Sequence, residues 1–170
     1  EANHAGTTPM HMRKDALLGM ARFAGQIDGY LKIHGLDSTK TTIGKVDVFP
    51  GSPNVVPGQC TFTIDVRDTD QKTLDSFEQI YESALRNIAN SMGLEIEINR
   101  LSNIPAVPCD KELITMLSTE AQALNLEYII MPSGAAHDAQ NMAKITPTAM
   151  IFVPSIGGIS HSPLENTHIN

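Results

Sequence analysis

Apolar residues follow helix and strand spacings through the first hundred residues of the chain. Spacings of three and four predict an amphipathic helix over residues 13–32 that ends at Gly35. The same spacing predicts a second helix that begins after the cap Asp70 and ends at Gly93. With residues 1–4 as the end of a first strand, the element order is β-α-β-β-α-β, which predicts a ferredoxin-like domain with one polar sheet face. The other predicted strands of this domain are residues 41–49, 60–67 and 94–98.

Beyond residue 104 the hydrophobic pattern changes. Pro105 and Pro108 mark a linker, so we predict a domain boundary near this point. A helix capped by Asp110 is followed by strands and a further short helix, and this alternation predicts an α/β layer with a parallel sheet. Residues 148–153 are a continuous apolar run, which predicts a strand buried on both faces. The other predicted strand of this layer is residues 126–131.

The composition excludes two classes of partner. A net charge of −7 with 12 basic residues and no Lys/Arg cluster argues against nucleic acid and against an anionic membrane surface. No apolar run approaches the roughly 18 residues that a membrane span requires. Cys60 and Cys109 lack any metal-type or redox-type spacing, so we predict free thiols and a cytoplasmic protein. The chain begins without Met inside a motif-like stretch, and we expect it to be a fragment of a longer protein.

Two histidines follow predicted strands of the second domain, where open α/β sheets bind their ligands. His161 lies near Glu165 and two glycines, and it is either a metal ligand or a surface histidine in a turn. His137 follows Ser133 at the start of a short predicted helix, where backbone N–H groups and the histidine can hold a substrate oxygen, or Asp138 can simply cap that helix. A nucleophile pair of Ser133 and His137 is disfavoured, because the Gly-x-Ser-x-Gly motif is absent. The residues alone leave these alternatives open.

Three further residues in the first domain could bind a ligand. Arg67 ends the polar face of its strand, and Asn54 lies in the preceding turn, so the two can clamp a substrate carboxylate. The alternative for Arg67 is a surface ion pair with Asp65 or Asp68, which would have no functional meaning. His4 lies among small residues in a turn that a ligand or a second chain can approach closely.

Four separated stretches together resemble one family. The stretches are residues 3–10 (Asn-His-Ala-Gly-Thr-Thr-Pro-Met) with 13–16, 53–58 (Pro-Asn-Val-Val-Pro-Gly) with 65–68, 133–139 (Ser-Gly-Ala-Ala-His-Asp-Ala) and 159–165 (Ile-Ser-His-Ser-Pro-Leu-Glu). These motifs resemble the dinuclear-metal amidohydrolases that cleave ureido groups, namely N-carbamoyl-L-amino-acid hydrolases, allantoate amidohydrolases and β-ureidopropionases, which are relatives of aminoacylases and zinc exopeptidases. The match covers essentially the whole chain.

The resemblance implies a domain organisation. In the family, an α/β catalytic domain that binds two metal ions is interrupted by a ferredoxin-like lid and dimerisation domain. Residues 1–104 resemble this lid, and residues 105–170 resemble the C-terminal part of the metallo-amidohydrolase catalytic domain. The resemblance also implies a homodimer through the ferredoxin-like domain and two divalent ions (Zn, Mn, Ni or Co) in the full-length enzyme. Because most ligands of the family have no counterpart here, we expect this fragment to bind no metal stably and to be inactive alone.

The resemblance also implies roles for individual residues. His161 matches the last metal ligand, and His4 matches a lid histidine that polarises the substrate, often in the active site of the partner subunit. Asn54 and Arg67 match residues that hold the substrate carboxylate. His137 matches a histidine that contacts the ureido group.

The implied function is metal-dependent hydrolysis of a linear amide C–N bond in a ureido substrate that bears a carboxylate, either an N-carbamoyl-L-amino acid or allantoate. Two alternatives are an aminoacylase or dipeptidase of the same architecture, and a non-catalytic dimerisation module. One position departs from the family pattern, since Ala136 stands where the family usually has glycine. If that position needs a positive φ, alanine costs about 1 kcal/mol and can shift the substrate contacts there.

Overall fold

The computed structural model describes residues 2–168, and the chain divides into two compact units, Glu1–Ala106 and Val107–Asn170. The chain combines helices with small antiparallel sheets, so the predicted mixed α/β class is confirmed. Residue 1, with which the predicted first strand begins, lies outside the described residues.

The first unit contains both strands and helices. In chain order they are β1 (Asn3–His4), α1 (Ala16–Ala24), α2 (Ile27–His34), β2 (Lys40–Phe49), β3 (Val55–Val56), β4 (Gln59–Arg67) and α3 (Gln71–Met92). β2 and β4 form an antiparallel hairpin, with Phe49 opposite Gln59 at one end and Lys40 opposite Arg67 at the other. The short strands β1 and β3 form a second antiparallel pair. The strands predicted over residues 41–49 and 60–67 are therefore confirmed.

Capping residues set where the helices of this unit begin and end. At the start of α1, the N–H of Leu18 donates to Asp15 Oδ1 at 2.9 Å. At the start of α3, the N–H of Thr73 donates to Asp70 Oδ2 at 2.8 Å. Gly93 ends α3 in the left-handed conformation (φ 62°), which a residue without a Cβ adopts easily. The predicted cap and the predicted end of this helix are confirmed.

The helix predicted over residues 13–32 is two helices in the structure. α1 ends before Gly25, and α2 begins after Gln26. The apolar spacing continues across this break, so the pattern cannot reveal it, and the weak helix preference of glycine favours the end at Gly25. The predicted end at Gly35 is confirmed, since its N–H donates to Leu31 O at 2.9 Å.

Aromatic rings form the core of the first unit. Phe23 and Phe77 are fully buried, and the ring of Tyr81 meets each of them edge-on at 5.2 and 5.3 Å between centroids. Such pairs each contribute about 0.5–1.5 kcal/mol beyond their buried area. Phe62, on the apolar face of β4, lies 6.3 Å from the Phe23 ring, and the Tyr81 hydroxyl bonds to Thr41 Oγ1 at 2.9 Å. α1 and α3 therefore cover the apolar face of β4.

Residues 94–98 do not form a strand, so this prediction is wrong. Leu94 and Ile96 are half-buried, whereas Glu95 and Glu97 are exposed, so the alternation correctly reports burial on one side. A strand also needs a hydrogen-bonded neighbour. The predicted first strand, β1, has two residues and pairs with β3 instead.

The described part of the second unit, residues 107–168, contains the helices α4 (Lys111–Ala123) and α5 (Ala139–Met142) and a 3₁₀ turn at Ile156–Gly158. The cap predicted for α4 is confirmed, because the N–H of Leu113 donates to Asp110 Oδ1 at 2.9 Å. The short helix predicted after the His137 loop is also present, as α5.

Residues 126–131 and 148–153 form no strands, and the burial predicted for the latter is wrong. Ile130 and Ile151 are 70% and 72% exposed, and no described residue of 107–168 is buried. An apolar run is buried on both faces only if neighbouring strands pair with it and other elements cover each face of the resulting sheet. The described residues of this unit supply neither, so the predicted parallel sheet is not formed among them.

Two further predictions concern membrane-spanning segments and the state of the two cysteines. No helix within residues 2–168 combines the length and apolar character that crossing a membrane requires. Cys60 and Cys109 are free thiols, as predicted. Partial burial, together with the nearby carboxylates of Asp15 and Asp47, raises the pKa of the Cys60 thiol, which disfavours a nucleophilic role and favours packing.

Candidate functional site

Strand pairing brings His4 and Asn54 together. His4 lies opposite Val55 in the β1–β3 ladder, and the N–H of Ala5 donates to Asn54 O at 2.8 Å. The Asn54 side-chain oxygen accepts a hydrogen bond from Ser52 Oγ at 2.8 Å. His4 and Asn54 are both exposed. Two residues that were selected from separate motifs are therefore neighbours that a ligand can reach.

The turn that follows His4 is held by hydrogen bonds from Arg13 and Thr8. Arg13 Nε donates to Thr8 O at 2.9 Å, and its Nη2 donates to Ala5 O. The N–H and the hydroxyl of Thr8 both donate to His4 O, at 3.1 and 2.8 Å. These bonds, two of them from a guanidinium, hold the backbone that carries the histidine.

Arg67 forms the surface ion pair that the sequence offered as an alternative. Its Nη2 lies 2.8 Å from Asp65 Oδ2, and its Nε donates to the two carboxylate oxygens at 3.1 and 3.2 Å. Asp68, the other predicted partner, instead accepts hydrogen bonds from the hydroxyls of Ser38 and Thr39. Because Arg67 and Asp65 are each about half exposed, their pair contributes at most about 1 kcal/mol.

The ion pair indicates how Arg67 can bind a carboxylate. The hydrogen bond from Arg67 lowers the pKa of the Asp65 carboxyl below its ordinary value, and Asp65 in turn raises the pKa of the guanidinium. A substrate carboxylate has the charge and shape of the Asp65 carboxylate, so this contact is a template for the predicted one. The substrate contact of Arg67 itself stays a prediction.

Arg67 and Asn54 are not brought together within one chain. Arg67 faces Lys40 at one end of the β2–β4 ladder, whereas Asn54 belongs to the loop that joins the strands at the other end. At about 3.3 Å per residue, β4 is about 26 Å long. The sequence predicted that both side chains bind one carboxylate, whereas within one chain they lie at opposite ends of the β2–β4 ladder.

His137 and Ser133 contact each other in the second unit. His137 Nε2 lies 2.8 Å from Ser133 Oγ, and the imidazole ring packs against Phe152 with 5.6 Å between centroids. Ser133 Oγ also accepts a hydrogen bond from the N–H of Ala135 at 3.2 Å. The serine hydroxyl therefore orients the ring, and because it can donate or accept, the contact does not specify the tautomer of His137.

The structure answers two questions about the His137 loop: whether the Asp138 side chain caps α5, and whether Ala136 has a positive φ. Asp138 precedes α5 without a hydrogen bond from its side chain to the helix, so it is not the capping side chain that the sequence allowed. Among residues 2–168, the non-glycine residues with positive φ are Asn125 and His161, and Ala136 is not one of them. The backbone strain considered for alanine at this position therefore does not arise.

The loop around His161 has an unusual backbone. Gly157 and Gly158 both have φ 68°, where glycine carries no steric penalty. His161 itself has φ 54°, which costs a non-glycine residue about 1–3 kcal/mol and is frequent at functional sites. Its N–H donates to Glu165 Oε2 at 2.9 Å, so Glu165 supports the loop through this hydrogen bond.

The metal-binding capacity of the chain is limited. Within residues 2–168, no three His, Cys, Asp or Glu side chains are grouped so that they could hold a metal ion. The imidazole of His161 is exposed and has the donor chemistry of one ligand, whereas a catalytic zinc generally takes three protein ligands. A metal-binding role for His161 stays a prediction.

Two residues that support the candidate site were given no role from the sequence. Gly6 donates to the His4 ring, and Arg13 holds the turn that follows His4. Each belongs to the same motif as His4. That proximity is the signal that could have identified them.

Comparison with known proteins defines the family. The chain matches peptidase family M20/M25/M40 over residues 1–170, and it belongs to that family. It is 45% identical over 169 residues to the allantoate amidohydrolase of Escherichia coli (strain K12), a match that covers 99% of this chain and 41% of that protein. It is 37% identical over 172 residues to the N-carbamoyl-L-amino-acid amidohydrolase of Pseudomonas sp. (strain NS671), covering 100% of this chain and 41% of that protein. The resemblance inferred from the four motifs is confirmed.

Solved structures agree with this assignment. A hydantoinase/carbamoylase family amidase from Burkholderia multivorans has a TM-score of 0.91 at 33% identity, covering 99% of this chain and 41% of that one. The amidohydrolase/peptidase from Burkholderia cenocepacia has a TM-score of 0.89 at 34% identity, with 99% and 41% covered. The chain thus spans about 41% of the length of the relatives that it matches.

Proposed function

We propose that the parent protein hydrolyses the amide C–N bond of a ureido group in a substrate that also bears a carboxylate. The observation that carries the proposal is the 45% identity over 169 residues with an allantoate amidohydrolase. Allantoate and N-carbamoyl-L-amino acids both combine a ureido group with a carboxylate, so one set of contacts serves either substrate. Water adds to the ureido carbon and one C–N bond breaks, which releases one nitrogen as ammonia or an amine and leaves a carbamic acid. The carbamic acid then loses carbon dioxide as its remaining C–N bond breaks, so the final products are an amine, ammonia and carbon dioxide.

Each candidate residue has a distinct task in this reaction. His4 donates a hydrogen bond to the ureido oxygen, which gains negative charge as water adds to the carbon. Arg67 binds the substrate carboxylate with the geometry that it has toward Asp65. Asn54 donates its amide N–H to the same carboxylate, and His137 contacts the ureido group.

We propose that these contacts come from two copies of the chain. His4 and Asn54 are neighbours, and Arg67 lies at the far end of a hairpin strand about 26 Å long, so a small substrate that touches the first two does not reach the third. In a homodimer, Arg67 of one copy can meet the substrate held by His4 and Asn54 of the other. Dimerisation through the first unit provides that arrangement.

The proposed reaction also depends on metal. Members of the family are generally metal-dependent, and His161 contributes one imidazole ligand. Bound divalent ions such as Zn or Mn supply polarisation of the ureido oxygen and activation of water. The other ligands come from outside the residues described here. The identity of the metal and a cytoplasmic location stay predictions.

An activity profile of the parent protein tests the proposal against its nearest rival. We expect ammonia release from allantoate or N-carbamoyl-L-amino acids, with kcat/KM at least about 100-fold above that for hydrolysis of the matching N-acyl amino acids and dipeptides. The reason is that the polar groups of a ureido-binding site form hydrogen bonds with the ureido amine. An acyl substrate does not supply this partner, so those polar groups would be left unpaired. Preferred cleavage of N-acyl amino acids or dipeptides would assign the protein to the aminoacylase or dipeptidase class instead.

A second test addresses the non-catalytic alternative. In the parent protein, Arg67→Ala and His161→Ala should each lower activity strongly, because one removes a carboxylate contact and the other a proposed metal ligand. Wild-type turnover in both variants would sink the enzyme assignment of this chain and favour a dimerisation module.

A further inference from the structure

We infer that the turn after β1 holds His4 in one neutral tautomer, with the ring proton on Nε2, and that Gly6 is the positioning residue that does so. The target of the Nε2–H group, the ureido oxygen, rests on the proposed function. The tautomer itself rests only on contacts within the turn.

The first observation is a hydrogen bond whose direction is unambiguous. The backbone N–H of Gly6 donates to His4 Nδ1 at 3.1 Å. A backbone N–H can only donate, so Nδ1 must offer its lone pair and carries no hydrogen in this arrangement. A neutral imidazole has one ring proton, which therefore lies on Nε2. This differs from His137, whose partner is a hydroxyl that can act in either direction.

The second observation is that the ring lies against the glycine itself. A Cβ added at Gly6 would lie 3.2 Å from His4 Cε1 and 3.5 Å from Nδ1, so any larger residue must push the ring away by a few tenths of an ångström. The absence of a side chain thus permits the approach that the N–H···Nδ1 bond requires. Gly29, in α2, has nothing within 4 Å of an added Cβ and provides a matched control.

The third observation is that the surrounding backbone is fixed at both ends of the turn. Thr8 donates twice to the carbonyl of His4, and Arg13 donates to the carbonyls of Ala5 and Thr8. The donor N–H of Gly6 lies between these anchored carbonyls. The turn therefore presents its N–H to the ring in a backbone held by four hydrogen bonds.

This arrangement suits a histidine that acts as a neutral donor. With Nδ1 engaged by the backbone, the Nε2–H group at the far edge of the ring is the one that can meet a substrate oxygen. Donors held in place before the reaction stabilise a developing oxyanion more effectively than mobile ones. In the proposed reaction, Gly6 therefore acts through His4 and touches no substrate.

NMR of the histidine ring nitrogens in the 170-residue chain tests the tautomer directly. At about pH 8, where ordinary imidazole is neutral, we expect His4 to show a protonated Nε2 and a bare Nδ1, with a nitrogen–nitrogen coupling to the Gly6 amide through the hydrogen bond. Gly6→Ala should weaken that coupling, and Gly29→Ala should leave it unchanged. A proton on Nδ1 of His4, or no coupling to the Gly6 amide in the wild type, would overturn the inference.

Kinetics of the parent protein test whether the held tautomer matters. We expect Gly6→Ala to lower kcat by about tenfold with KM little changed, a smaller loss than the 10²–10³-fold expected for removing an oxyanion donor in His4→Ala. Gly29→Ala should match the wild type. Full kcat in Gly6→Ala, together with a lost coupling, would refute the positioning role. If the wild-type parent protein cleaves no ureido substrate, the proposed function fails while the NMR result still decides the tautomer.

Discussion

The two units of the chain differ in how completely they enclose their own apolar residues. The first unit closes an aromatic core around Phe23 and Phe77, and its apolar strand face is covered by two helices. The second unit has no buried residue within 107–168, and its apolar runs lie at the surface. The first unit thus provides a rigid support for its candidate site residues, whereas the second provides loops held by local hydrogen bonds.

The candidate histidines reflect the same difference. His4 is fixed by a strand pair and by a turn that Arg13 and Thr8 anchor. His161 lies in an exposed loop supported by its hydrogen bond to Glu165. Preorganisation for a substrate contact is therefore greatest at His4. Three substitutions test the enclosed core and the candidate site of the first unit, from the largest expected effect to the smallest.

Truncation of the first core should have the largest effect. Phe77→Ala removes a fully buried ring that packs against Tyr81, and we expect a loss of about 3–5 kcal/mol in the free energy of unfolding. Urea unfolding followed by helical circular dichroism measures it. The matched control is Ile151→Ala in the second unit, where a residue 72% exposed should change stability by no more than about 0.5 kcal/mol. Equal losses in the two variants would contradict the difference between the units.

Removal of Arg67, the proposed carboxylate-binding cation, should have an intermediate effect. In the parent protein, Arg67→Ala should weaken substrate binding by about 1.5–3 kcal/mol, because hydrogen bonds to a charged group are lost. The measurement is the KM for the preferred ureido substrate. Lys45→Ala is the control, since Lys45 forms a comparable exposed ion pair at 2.8 Å with Asp47 and should leave KM unchanged. Similar KM values in the two variants would show that Arg67 is an ordinary surface cation.

Loss of the Tyr81 hydroxyl should have the smallest effect. Tyr81→Phe removes the bond to Thr41, and we expect a loss of about 0.5–1.5 kcal/mol. Burial, partly offset by the Thr41 bond, raises the pKa of the Tyr81 phenol. An unfolded tyrosine loses its proton near pH 10, before the folded one. The stability that depends on a protonated Tyr81 is therefore complete below about pH 10 and is lost as the pH rises further.

Urea midpoints at pH 8 and above pH 10 measure this dependence. The decline in stability at high pH should be smaller in Tyr81→Phe than in the wild type, because phenylalanine has no proton to lose. An identical decline in both proteins would show that Tyr81 does not carry it.

Several elements could be predicted because their signals are local. Asp70, Gly93 and Asp110 act through the residues next to them, so the sequence identifies where α3 begins and ends and where α4 begins. The alternation of residues 60–67 likewise reports a strand covered on one side. These elements need little information from distant parts of the chain.

The errors have the opposite cause. Residues 94–98 and 148–153 have patterns suited to strands, but a strand also needs a partner that the pattern does not specify. The contact between the His4 and Asn54 loops was missed because two-residue strands have no detectable periodicity. The separation of Arg67 from Asn54 follows from the register of the hairpin, which spacing along the sequence does not reveal.

The proposal that two copies share a substrate is tested most directly by mixing two impaired variants of the parent protein and measuring activity at a substrate concentration below the wild-type KM. One variant carries His4→Ala and the other carries Arg67→Ala, and the mixed dimer is purified with two different tags. If the site takes His4 from one copy and Arg67 from the other, the mixed dimer has one intact site of two and should recover about half of the wild-type activity. A mixed dimer as impaired as the two single variants would contradict the account.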